Sequence, residues 1–361
     1  MLFADSEKSS NAIIRLLNSR AAGSPRAYEE AARIVREDAE KGGVLQQFIL
    51  AVISRDADAP ESARLSAGER DRYFAASRDK IRNLAELNSN PLALYVLSME
   101  GNDMALLEQA AAGGNVQALN AFGTIRLTEA FKDTTITSNA LVKAQNRAFK
   151  CFKWAADQGD SNGFYNLGMC YMSGYGCQRD AKLAFDCFKT AAEAGHPEAI
   201  NNIGGFFRDG IVVRKNPELS VLWFKKSSEL GNEFGVLNYG LALLSGQGTA
   251  KNQAGAVKLF RYLAENRSHA EGMHLYGMCL MRGMGADKDE KAAVGWFEKA
   301  AAKGFAMSMD NLSTCYECGT GVEPDLQKSL VWKMRARAAA GDRTAAEWLK
   351  SSEELEVRSE E

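Results

Sequence analysis

Residues 160–195 read DSNGFYNLGMCYMSGYGCQRDAKLAFDCFKTAAEAG. Asn166, Leu167, Gly168 and Tyr171 come first, then Gly174 and Gly176, then Ala184, Phe188, Ala191, Ala192 and Gly195. This order predicts a helix, a glycine-rich turn and a second helix. The pattern returns about every 36 residues through most of the C-terminal two-thirds. One helix pair is too small to hide its own apolar face, so pairs that recur must stack into a continuous core. The expected fold class is therefore all-α, a solenoid of antiparallel helix pairs.

Six units follow from the spacing: 115–159, 160–195, 196–231, 232–268, 269–304 and 305–341. Their first helices carry a small residue at Gly123, Gly168, Gly204, Gly240, Gly277 and Ser313. A glycine inside a helix costs about 1 kcal/mol relative to alanine, and is tolerated where a neighbour must come close. Ala184, Ser220, Ala256, Ala293 and Ser329 do the same on the second helices, and Trp223, Trp296 and Trp332 are expected to fill the space between layers. The Gly-x-Gly pairs supply left-handed turn residues. They are not a dinucleotide motif, which needs a preceding strand. Closing glycines at 159, 195, 231, 304 and 341 are expected to cap the second helices. Four departures stand out: about nine extra residues around 131–139, expected to project as a polar loop; Val212 and Val213 in place of a turn glycine; Arg267 in place of a closing glycine; and Ser313.

Residues 1–114 are helical but irregular, and read as degenerate pairs that cap the array. Expected helices carry Ile13, Ile14, Leu16 and Leu17 (capped by Ser9 or Ser10), begin at Pro25, and span Val44 to Ser54. A polar loop covers 55–66, and Ser66 with Glu69 forms a capping box for a helix reaching Leu87. Two short helices follow, from Pro91 and over 103–112. Residues 342–361 supply a capping helix with Ala345, Trp348 and Leu349, then an acidic end.

Composition narrows the function classes. A formal net charge of −2 leaves no basic excess to neutralise phosphates, so nucleic acid is not an expected partner. No apolar run approaches the ~20 residues of a membrane span. Seven cysteines without regular pairing suggest free thiols in a reducing compartment, and no signal peptide is evident. A cytoplasmic location is expected; the alternative is periplasmic or secreted, with a leader already removed.

The Asn166–Leu167–Gly168 triplet, the Tyr171, Gly174 and Gly176 spacing, Ala184, and Ala191–Ala192 through Gly195 together resemble the Sel-one-like repeat, a relative of the tetratricopeptide repeat. The resemblance covers about residues 115–341. It implies a right-handed superhelix of antiparallel helix pairs and an adaptor that holds proteins or peptides without chemistry of its own.

Asn166, Asn202, Asn238 and Asn311 lie two residues before the helix-glycine position, and Leu275 breaks the row in the fifth unit. Amides in equal phase can hydrogen-bond an extended peptide, or can tie each repeat to a turn beside it. Flanking candidates on the inner surface are Met169, Ser173, Arg208, Asp209, Ser245, Met278, Arg282 and Glu317. The late methionines, Met273 to Met309, read as gap-fillers or adaptable contacts. Cys315 and Cys318 form a C-x-x-C without the further ligands a zinc site needs, and no nucleophile–histidine arrangement is apparent among three histidines. No cofactor, metal or catalytic residue is expected. The leading expectation is a scaffold binding a protein or peptide, with Asn166, Asn202, Asn238, Asn311, Arg208 and Arg282 as contacts. The alternatives are an envelope-associated factor binding a glycan or host protein, and an enzyme with an unrecognised site. Oligomeric state is left open.

Overall fold

The computed structural model describes residues 25–54, 61–88 and 90–360, with Leu16 and Ala59; side chains are described within 28–85 and 90–351. The helix expected around Ile13, its Ser9 or Ser10 cap, most of the 55–60 loop and the acidic side chains from Glu353 onward lie outside the described residues. Among the described residues there are eighteen α-helices, one short 3-10 turn at Glu61–Ala63 and no strand. Consecutive helices pack on one another, giving a solenoid of helical repeats.

The chain divides into two compact units, 1–215 with 230–232, and 216–229 with 233–361. The first holds α1 (Pro25–Glu40), α2 (Val44–Ile53), α3 (Ala67–Asn88), α4 (Pro91–Gly101), α5 (Met104–Ala112), α6 (Val116–Lys132), α7 (Ser138–Asp157), α8 (Ser161–Ser173), α9 (Ala181–Glu193) and α10 (Pro197–Asp209). Apolar side chains all round α2 bury eight of its ten residues, among them Phe48, Ile49 and Ile53. Ser66 and Glu69 close the expected capping box on α3: the Ser66 N–H donates to Glu69 Oε2 at 2.9 Å, and the Glu69 N–H to Ser66 Oγ at 3.3 Å. The second unit holds α11 (Pro217–Glu229), α12 (Glu233–Ser245), α13 (Gln253–Asn266), α14 (Ala270–Arg282), α15 (Glu290–Ala302), α16 (Ala306–Cys318), α17 (Leu326–Ala339) and α18 (Arg343–Glu360).

What fills each pair differs from the sequence expectation. A Cβ added at Gly123, Gly168, Gly240 or Gly277 would lie 2.7, 2.7, 2.6 or 2.8 Å from the ring of Phe152, Phe188, Phe260 or Phe297. These four phenylalanines are buried and sit directly on the helix glycines. The tryptophans fill the layers only from their edge, Trp296 and Trp332 packing against the apolar core of the last two repeats. Trp223, Trp296 and Trp332 are only half-buried, and Lys226, Lys299 and Arg335 lie over their faces at 5.4, 3.9 and 4.8 Å. A second close approach has no large residue to announce it. Gly163 and Gly272, in the first turns of α8 and α14, abut the preceding second helix; a Cβ at Gly163 would lie 2.6 Å from Ala156 N.

The four departures resolve locally. The insertion does not project as a loop: α6 and α7 lengthen to 17 and 20 residues, against 13 in α8 and α9, leaving only 133–137 between them. Val212 adopts the left-handed conformation of the missing glycine, at φ 66°. Around Arg267 the helix runs one residue further, and Ser268 takes the left-handed position at φ 50°. In the sixth repeat Lys333 stands where the ring belongs, counting eight residues from the Asp325 cap as Phe297 is from Asp289. The space freed accepts Ser313, whose hydroxyl lies 3.1 Å from Ser329 Oγ.

Candidate functional site

First helices present the asparagines in equal phase, each half-buried. In the first unit, the Asn166 amide donates to Asn120 Oδ1 at 3.4 Å, and Asn120 in turn donates to Asp160 Oδ2 at 2.7 Å. Asn202 Nδ2 faces the Met169 sulfur at 3.9 Å. In the second unit, Asn311 Nδ2 reaches the Met278 sulfur at 3.1 Å. Each of these amides therefore points back to the first helix of the preceding repeat, rather than to a turn. Asn238 keeps the same register on α12. Arg208 and Arg282 are exposed in the last turns of α10 and α14, where a cation suits the carboxyl end of the helix dipole. Arg208 forks onto Asp209 at 2.8 and 2.9 Å. Met169, Ser173, Ser245 and Glu317 are exposed around the row, and Met278 is half-buried.

A buried polar junction lies where the second repeat meets the third. His196 caps α10, its Nδ1 accepting from the Ala199 N–H at 3.4 Å, while Nε2 lies 3.1 Å from Asn162 Oδ1 and Tyr165 stacks on the ring at 4.5 Å. Burial pushes this imidazole down to about 4, so it is neutral near pH 7. Burial also raises the carboxyl of Glu198, whose Oε2 lies 3.2 Å from Nδ1. His269 caps α14 in the same way, and His274 is buried against Ser308 Oγ at 2.9 Å. The histidines thus serve caps and repeat junctions, a role the sequence reading missed because an N-cap is usually Asn, Asp, Ser or Thr.

All seven cysteines are free. Cys170, Cys279 and Cys315 share one buried position on the inward face of their first helices, and burial pushes their thiols up to about 12, 11 and 11. Such thiols are poor nucleophiles. Cys318, the other half of the C-x-x-C, is exposed. Among the described residues no three His, Cys, Asp or Glu side chains gather as a metal site would require. No helix among them is long and apolar enough to cross a membrane. Met273 and Met309 are buried gap-fillers, whereas Met307 is 55% exposed.

The sequence matches the Sel1 repeat over residues 141–160, 165–196, 197–232, 235–268, 270–305 and 306–332, together more than half the chain. The chain belongs to the Sel1 repeat family. Sel1 repeat proteins are generally protein-interaction scaffolds and typically non-catalytic. A Sel1 repeat protein from Oxalobacter formigenes is similar in structure, with TM-score 0.54 and 24% identity over 71% of this chain and 95% of that one. A protective antigen of uropathogenic Escherichia coli with an SLR fold is similar too, with TM-score 0.55 and 23% identity over 89% of this chain and 66% of that one. At these identities the likeness is one of fold. No curated protein matches the chain. In the first repeat the Sel1 match takes in only the second helix, which agrees with the long, atypical pair α6–α7.

Proposed function

We propose that this Sel1 repeat protein is a non-catalytic scaffold that holds a protein or peptide segment on the face made by its first helices. The observation that carries the reading is the register of Asn166, Asn202, Asn238 and Asn311: polar, half-buried groups repeated in one phase on helices whose opposite faces are packed. For Asn166, Asn202 and Asn311 the amide nitrogen is held by the preceding repeat. What the row offers a ligand is carbonyl oxygen, the complement of a peptide N–H, and the second N–H of each amide. Arg282 flanks it with positive charge, and Arg208 flanks it as part of an ion pair with Asp209. Affinity comes from several weak contacts on a preformed surface, with little ordering cost.

The absence of catalysis is part of the proposal. It is supported by raised, buried thiols and by histidines engaged in caps and repeat junctions. Free cysteines in every position support a reducing compartment, and we place the protein in the cytoplasm on that ground. Cell fractionation tests the location; recovery in an oxidising compartment contradicts it. Co-purification from the native cell with the wild type and the Asn202→Ala/Asn238→Ala variant tests the binding face. Loss of partner with an unchanged helical spectrum supports the row. Undiminished recovery removes it.

A further inference from the structure

Within the second unit every glycine turn has a seat on the repeat before it. Gly285 lies against the backbone of Gln253, the first residue of α13, and Gly321 against that of Glu290, the first residue of α15. The residue after each glycine adds an apolar contact: Ala286 joins the cluster of Val257, and Val322 that of Val294. The seat is thus the first turn of a second helix, with an apolar side chain four residues in. Val257 and Val294 are 8% and 3% exposed because a turn covers them.

On α17 the same seat is open. Its first residue, Leu326, is 73% exposed, and Leu330, the counterpart of Val257 and Val294, is 42% exposed. The reason lies in the sequence of α18. Its start repeats a first helix, with Asp342 as cap and Ala345 buried, but no Gly-x-Gly follows where a seventh turn would be. The rim is also distinct. Lys328, Lys333, Arg335 and Arg337 all lie on α17, which carries no carboxylate, whereas the other five second helices each carry at least one. Asp325 and Asp342, outside the helix, pair with Lys328 at 3.5 Å and Arg337 at 2.6 Å. Lys333 occupies the position of a buried phenylalanine, yet is exposed.

We infer that the first turn of α17 is a second binding site, separate from the asparagine row, and that it takes an acidic, glycine-containing turn of a partner protein. Shape follows from the seats on α13 and α15, which take such turns within this chain. Sign follows from Lys333, which is exposed one helical turn from Leu330 on the same face of α17 and has no carboxylate partner among the described residues. The chain contains a turn of the required kind, ECGTGVEPD at 317–325, which fills the seat on α15 and carries three carboxylates.

The probe is that nonapeptide with Ser in place of Cys318, cyclised so that the turn is preformed, titrated into the full chain. The expected result is saturable binding that weakens with added salt. Leu330→Glu and Lys333→Glu should each lose about tenfold or more in affinity. Leu222→Glu, at an exposed leucine on α11, should change nothing, and because Leu222 and Leu330 are both exposed these variants should keep the wild-type helical spectrum. No binding at about 1 mM peptide, or equal binding by Leu330→Glu, overturns the inference. So does concentration-dependent dimerisation abolished by Leu330→Glu, which assigns the seat to a second copy. A chain ending at Ser351 that binds the peptide about tenfold tighter assigns it to the chain's own acidic end, and overturns the partner just as fully.

Discussion

Two glycines of the fifth repeat separate the causes of glycine recurrence. Gly285 and Gly304 have nearly the same backbone, at φ 74° and 83°. Around Gly304 a Cβ would meet nothing within 4 Å. At Gly285 it would fall 2.7 Å from Ala254 N and closer still to the Gln253 carbonyl. An alanine in the left-handed region costs about 1–2 kcal/mol, of which the stiffer unfolded chain offsets about 0.4–1. Gly304→Ala should therefore destabilise by about 1 kcal/mol. Gly285→Ala carries the same strain plus a backbone collision that no side-chain rotation relieves, worth about 1–3 kcal/mol more if it resembles overpacking. The expected total is about 2–4 kcal/mol. Urea unfolding followed by far-ultraviolet circular dichroism measures both. Because repeat arrays can unfold in parts, amide exchange in α13 and α15 should accompany it. In Gly285→Ala, protection should fall first in α13 and in the turn it receives. Equal destabilisation by the two substitutions would refute the seat, and leave only backbone strain to explain the glycines.

Other consequences are as direct. Lys333→Phe alone should destabilise the sixth repeat, because Ser313 fills the ring's space; adding Ser313→Gly should restore the pairing seen at Gly277 and Phe297, with a coupling of about 1–3 kcal/mol in a double-mutant cycle. His196 titrates at about 4 in the fold against an ordinary 6.5. As pH falls the unfolded chain takes up its proton first, so this stability is complete above about pH 6.5 and is lost towards pH 4, on the order of 3 kcal/mol. Glu198, raised by burial, opposes part of that decline, and His196→Asn should flatten it in acid-unfolding curves. A thiol reagent should label Cys318 fast and Cys170, Cys279 and Cys315 only on unfolding.

Much of the fold was legible because its signals are periodic. Gly168, Gly240 and Gly277 announce a close approach, and recurrence at about 36 residues makes stacking the only economical reading. What approaches them was not legible. Phe260 and Leu259 are equally apolar, and only helix phase in three dimensions sends the phenylalanine inward. The compensation of Ser313 by Lys333 also escaped notice, since the two are twenty residues apart and each looks like an isolated lapse. Polar roles fared worse. A histidine at an N-cap carries no local signature, and the direction of the Asn166 and Asn311 amides depends on Asn120 and Met278, a repeat away. The open seat on α17 was hidden because Leu326 and Leu330 look like ordinary helix residues until the turns on α13 and α15 show what covers their counterparts.

The scaffold reading is tested most directly by photo-crosslinking. A benzoyl-phenylalanine placed at Met169 or Arg282, on first helices, is compared with one at Lys189 or Lys258, exposed on second helices other than α17. Irradiation in the native cell should join a partner to the first pair of positions and not to the second. Partner adducts confined to Lys189 and Lys258 would contradict the first-helix face as the binding surface.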